Sequence, residues 1–252
     1  MSDIAGPESP DIFADVYEPT EHLKVPADPK SIPSPKGPLA LLDAISPATW
    51  VNEFLKAICD YDPLEEFTKH FAGDWTAYAK CGEAYRRIGE CINDAGGNIR
   101  HGSEKLAAVW EGNASERAQE YFGSTGKILG NKDKELAEVE DQYDLAARSV
   151  WSSAEAASDI IKTIFDLAAI AAVSALAGAA TSWSGGGAIV GYGVAALSVV
   201  EIVEEIDALT KTFNAASTTV HAISALIEGM VADSGEVKLT PLPDVPYHHP
   251  AV

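Results

Sequence analysis

The sequence predicts an all-α protein, and three observations carry that expectation. Hydrophobic residues make up 46% of the 252 positions but are weighted towards Ala, and aromatics are only 8%, so flat helix-on-helix packing suits the chain better than a sandwich. Apolar positions recur at spacings of three and four over long stretches, the period of a helix face. Proline is confined: eight of the 14 lie in residues 1–38 and four in 236–252, leaving only Pro47 and Pro63 between. Both follow a capping residue, Ser46 and Asp62, which is where a first-turn proline is welcome.

Taken in order, residues 1–38 carry seven acids and three lysines beside their prolines, too polar to repay the entropy of ordering, and predict a disordered acidic arm. Residues 39–72 predict two short helices, near 47–59 and 63–71. Asp74 then caps a long helix running to about Val109, with a seam of Tyr78, Cys81, Tyr85, Ile88, Ile92, Ala95 and Ile99. Gly96 and Gly97 weaken it by about 1 kcal/mol each relative to Ala, which implies a kink or a close backbone contact. After Trp110-Glu111-Gly112, Asn113 with Glu116 reads as a capping box that starts a second helix at Ala114. Its seam passes through Ala118, Phe122, Leu129, Leu136, Val139, Tyr143, Ala146 and Val150. Residues 73–151 therefore predict an antiparallel helical hairpin, with the Trp110 ring buried across both helix ends and Gly112 supplying freedom for the turn. Gly123, Gly126 and Gly130 predict a bend or division of the second helix.

Residues 152–235 predict an Ala/Gly-rich hydrophobic helical region followed by an amphipathic helix near 194–232, and 236–252 a Pro-rich tail, extended or disordered. From Leu167 to Val200 no residue is charged. Ser184-Gly185-Gly186-Gly187 reads as a turn between arms of 17 and 13 residues, whereas a spanning helix needs ~20 apolar residues. The first reading is a buried Ala-rich helical pair. The alternative is membrane insertion as a hairpin, with Gly178, Gly191 and Gly193 allowing close approach.

Charge excludes several functions. With 38 acids against 18 Lys and Arg, the net charge of −20 leaves no basic surface for nucleic acid or for an anionic membrane. No GxSxG, HExxH, P-loop or dinucleotide fingerprint occurs, so no catalytic residue and no cofactor is expected. His22, His70, His101, His221, His248 and His249 have no metal-ligand spacing, and no metal is expected either. Cys59, Cys81 and Cys91 read as small core residues rather than a disulfide framework. The first thirty residues have no basic region followed by an apolar run, so export, if it happens, uses a route other than a cleaved signal peptide.

Trp110-x-Gly112 lies in a loop between two long heptad-patterned helices and is followed by Asn113-Ala-Ser-Glu-Arg-Ala-Gln-Glu-Tyr-Phe122. With Gly73-Asp74-Trp75 and Ala147-Arg148-Ser149-Val150-Trp151, the stretch resembles the WXG family of type VII (ESX) secretion substrates. It looks most like the longer actinobacterial members, similar to the amino-terminal delivery module of mycobacterial necrotising-toxin channel proteins. The resemblance covers about 40–232 and is strongest over 73–151. It implies a non-enzymatic substrate, delivery module or partner-binding unit, secreted or held at the cell surface, a homo-oligomer or the companion of a helical WXG-like partner, and handled by type VII machinery. Trp110 and Gly112 would set the reversal, and Tyr78, Tyr85, Ile88, Ile92, Leu136, Val139 and Tyr143 the seam and interface. The family's export signal, Tyr-x-x-x-Asp/Glu after the second helix, is missing: Tyr143 is followed four positions on by Ala147. Tyr17 with Glu21 and Tyr61 with Glu65 fit the letters but precede the hairpin. The rival functions are a membrane-active or pore-forming effector acting through 160–206, with a membrane contact through 167–200, and an intracellular, cytoplasmic helical scaffold.

Overall fold

The computed structural model describes residues 14–28, 49–181 and 186–236. Of these, 88% are helical and none is in a strand, so the chain is all-α as its composition and spacing predict. Five α-helices follow a short 3-10 turn at Pro19–His22: α1 Thr49–Cys59, α2 Pro63–Phe71, α3 Trp75–Ala107, α4 Asn113–Ala180 and α5 Gly186–Gly235. The arm over 1–13 and 29–38, the tail over 237–252, the Ser46-Pro47 cap and Ser184-Gly185 lie outside the described residues.

Local rules account for the helix ends. Asp62 accepts hydrogen bonds from the amides of Leu64 and Glu65, and Pro63 occupies the first turn, so α2 begins where the sequence places it. The Asp74 carboxylate accepts from the Ala77 amide at the head of α3. Between α1 and α2 the chain turns through Asp60 at φ 48°, a left-handed position that Asp tolerates, and the Asp60 amide donates to the Lys56 carbonyl.

Two compact units are present. The first comprises the described residues of Met1–Ala27, Lys80–Tyr143 and Leu226–Val252. Within it α3 and α4 run antiparallel: Gly82 meets Glu140 and Tyr143, Gly89 meets Asp133 and Leu136, and Gly96 meets Gly126, Leu129 and Gly130. A Cβ on Gly96 would stand 2.8 Å from the Gly126 carbonyl oxygen, so at this crossing backbone touches backbone. Gly126 and Gly130 therefore do not divide α4, which is one helix of 68 residues; they make room for α3. The side chain of Lys132, 8% exposed, binds Glu135 at 2.7 Å and reaches the Glu236 carbonyl at 3.5 Å, a cation at the α5 C-terminus where the helix dipole favours one.

Part of the expected flexible arm is ordered on this unit. Asn98 accepts from the amides of Val16 and Tyr17 and donates to the Tyr17 carbonyl, while the Tyr17 ring lies over Gly97. His22 sits between Asp94, at 2.8 Å, and Glu90, at 3.3 Å. A side-chain amide that satisfies three main-chain groups, with acids that hold the histidine, orders a segment too polar to build a core of its own.

The second unit comprises the described residues of Asp28–Ala79 and Asp144–Ala225 and contains the main core. From α4 come Val150, Ala154, Ala157, Ile161, Ile164, Phe165 and Ala168; from α5 Ile202, Leu209, Phe213 and Ala216. Val51 and Leu55 of α1 and Phe67 and Phe71 of α2 close it. The α4 positions advance by three and four without interruption through Trp151, so the boundary expected at 151/152 falls inside a helix. The units divide instead at 79/80, 143/144 and 225/226.

Candidate functional site

At the elbow α3 ends at Ala107, and the amides of Val109 and Trp110 donate back to the Leu106 carbonyl. Gly112 adopts φ 97°, and its carbonyl accepts from the Glu116 amide, so Gly112 stands at the cap that the sequence assigns to Asn113. The Ser115 hydroxyl, on a buried residue, donates to the Trp110 carbonyl. Trp110 is 40% exposed. The expectation of a buried indole latch is corrected: Trp110 lies three residues beyond the end of α3, in a loop exposed from Ala108 to Asn113, and it acts through its main chain.

The seam also differs from its prediction by one position. Facing α4 is the heptad row Gly82, Gly89 and Gly96, which the buried Ser103 continues. Ile88, adjacent to that row and rotated from it by about 100°, is 41% exposed, and Cys81 is exposed as well. Tyr85 and Ile92, three positions past Gly82 and Gly89, are half-buried flanks. Of the expected interface residues, Tyr85 and Tyr143 come together with stacked rings at 5.8 Å, and Leu136 and Val139 are buried. Tyr78 belongs to the second unit, where its ring meets Trp75 edge-on at 5.7 Å and its hydroxyl lies 3.4 Å from that of Ser224. Sequence reasoning favoured the large apolar residues. A Gly-x6-Gly-x6-Gly repeat was the available signal for the true contact row.

In the second unit the same two helices that hold the core continue, uncharged, towards residues 182–185. Val173, Leu176, Ile189, Val190 and Leu197 are each 63–77% exposed there. The buried Ala-rich pair expected here is therefore corrected. Gly178 and Gly191 bring the arms together, and a Cβ on Gly191 would stand 2.6 Å from the Gly178 Cα. With backbones that close there is no layer of aliphatic side chains between the helices, and those side chains turn outward.

Comparison with known proteins finds no matching family model, no matching curated protein and no matching solved structure.

Among the described residues no group of three or more His, Cys, Asp or Glu is placed to hold a metal ion. An open cleft in the second unit is lined by His70, Phe71, Trp75, Phe213 and His221. His70 is already committed there, stacked on Phe213 at 4.5 Å with its Nδ1 2.9 Å from the Glu66 carbonyl oxygen. Four resolved shifts lie at the α1–α2 junction. Burial pushes the Cys59 thiol and the Tyr61 phenol up, the latter against a hydrogen bond from Thr210. For Asp62, burial acts upward, but the Lys56 ammonium, the Glu65 amide and the Asn52 amide outweigh it and hold the carboxyl below its ordinary value. Lys56 moves up in return, chiefly through hydrogen bonds to Asp62 and then Glu53. This is the signature of a structural cap with an ion pair at 2.8 Å rather than of an acid poised to transfer protons.

Proposed function

We propose that this chain is a non-enzymatic, WXG-like helical protein handled by a type VII secretion system, acting by recognition as a substrate, delivery module or partner-binding unit. One observation carries the reading. The Trp110-x-Gly112 tripeptide coincides with the reversal between two long helices, and its glycine holds the φ of 97° that the reversal requires. Chance tripeptides fall anywhere along a chain, whereas this one occupies the single loop between α3 and α4. The antiparallel approach of Gly82, Gly89 and Gly96 to α4 supports the hairpin part of the reading. The faces of α3 and α4 turned away from this contact, which include Ile88 and Phe122, are the surfaces a helical partner or a second copy would cover.

The test is export. An epitope-tagged chain is expressed in an actinobacterial host with an intact type VII system and in the same host lacking the system's ATPase, each with and without a candidate helical partner encoded beside it. Accumulation in the medium or at the cell surface that depends on the ATPase is the expected result. Retention in the cytoplasm under every condition would favour the scaffold reading and remove this one.

A further inference from the structure

We propose that the distal apolar arms of α4 and α5, described over 172–181 and 186–200, insert side by side into a bilayer of net-neutral, zwitterionic lipid. The proposal is independent of the export route. Each helix contains an 18-residue window with no more than two charged residues, of mean hydropathy 1.9 in α4 and 1.8 in α5. A core helix passes the same test by being covered, but these windows are only 33% and 11% buried. Water-soluble monomers rarely leave a contiguous apolar surface of this kind without a use for it.

The geometry favours lipid over a protein partner. At about 100° per residue, the exposed positions Ile189, Val190, Tyr192, Val194, Leu197 and Val200 sweep roughly 200° of the α5 circumference. A docking helix covers a stripe, while a liquid hydrocarbon covers an arc. The Gly178–Gly191 approach is the kind of helix contact that operates in lipid, where side-chain burial offers no advantage.

Charge placement sets the depth. Because Gly186 and Gly187 are helical, the α5 arm is 15 residues long rather than the 13 read from the sequence. Uncharged helix runs over 167–180 in α4, beyond Asp166, and over 186–200 in α5, before Glu201. That is about 21 and 22 Å of helix, against a hydrocarbon core of ~30 Å. The exposed part of each arm therefore enters from one side without drawing a charge into the core. The lipid class follows from the collar, where Asp159, Asp166, Glu201, Glu204, Glu205 and Asp207 outnumber Lys162 and Lys211 on a chain of net charge −20. Anionic headgroups would repel it.

Flotation of the full chain with vesicles tests this, using phosphatidylcholine alone and phosphatidylcholine mixed with phosphatidylserine. The control variant carries Leu176→Asp and Leu197→Asp; both positions are more than 60% exposed, so it should fold and melt as the wild type does. The wild type is expected to float with phosphatidylcholine, less with the anionic mixture, and the double variant more than about tenfold less, since each buried Asp opposes insertion strongly. No flotation of the wild type, or equal flotation of the variant, would overturn the proposal. Stronger flotation with phosphatidylserine would overturn the lipid class. A wild type that is oligomeric in light scattering, does not float, and becomes monomeric in the double variant would show that a second copy covers the face instead.

Discussion

Within the second unit, residues 150–171 of α4 and 202–216 of α5 differ from residues 172–180 and 186–200 of the same two helices in what lies over them. The first stretch has α1 and α2 as a third layer, and Val51, Leu55, Phe67 and Phe71 complete its core. Among the described residues, the second packs against its partner arm, touched through Gly178 and Gly191. Backbone hydrogen bonds keep both stretches helical, so helicity alone cannot tell them apart. Coverage does, because stability comes from apolar surface removed from water and a two-helix contact made through glycines removes little. The largest expected effect follows. Phe67→Ala opens a cavity beneath a fully buried ring that packs on Phe71 at 5.0 Å, and should cost about 3–5 kcal/mol in denaturant titration. If the comparison holds, hydrogen exchange in the core segments of α4 and α5 accelerates by the corresponding factor, while that of 172–181 and 186–197 changes little.

Much of this architecture is legible in the sequence, and what escapes has a physical cause. Asp62-Pro63 and Asp74 announce helix starts because capping is local chemistry, and α2 begins and ends at the expected residues. The row Gly82, Gly89, Gly96 is hidden because hydrophobic periodicity scores side chains, and the closest contact in the first unit is made where side chains are absent. Trp110 misleads for the opposite reason. Its size argues for burial, but burial depends on whether either helix extends far enough to cover it, and α3 stops at Ala107. The strap at Tyr17 and His22 rests on Asn98, Asp94 and Glu90 from 68 to 81 residues downstream, polar pairings that leave no periodic trace.

The elbow provides the next largest effect. Gly112 has open space around the position a Cβ would take, so Gly112→Ala meets no neighbour; its cost is the backbone conformation alone, about 1–2 kcal/mol. Trp110→Phe, which keeps the main-chain hydrogen bonds, should cost less than Gly112→Ala in the same titration. The reverse order would restore the indole as the latch.

The α1–α2 cap sharpens the covered side of the comparison, because it positions the layer that the distal arms lack. Asp62→Ala removes two amide acceptors at the α2 N-terminus and should cost about 1 kcal/mol. Its pH dependence has a definite sign. The Asp62 carboxyl lies below its ordinary value of 3.8 in the folded chain, so its contribution is fully present above that value and is lost as the pH falls through the lower, folded one. Lys56 lies above its ordinary 10.5, so its side of the pair persists through neutral pH and is lost only in strong base. In melts from pH 6 to pH 2, roughly the range where carboxylates titrate, wild type and Asp62→Ala should converge at the acid end. A constant gap would mean that the cap acts without its charge.

The smallest expected effect is the most informative about the uncovered side. Val190 is 67% exposed, and among the described residues no third element lies over its arm. In water, Val190→Asn therefore changes stability by no more than ~0.5 kcal/mol, as for other surface substitutions. A loss of the size expected for Phe67→Ala would mean that the arm is covered in solution, and the contrast between the two halves of α4 and α5 would vanish. If stability is unchanged but phosphatidylcholine flotation falls, the same side chain counts for nothing against water and for much against hydrocarbon. The difference between the two halves then becomes one of solvent: the proximal helices bury their apolar faces under α1 and α2, and the distal pair buries its own in lipid.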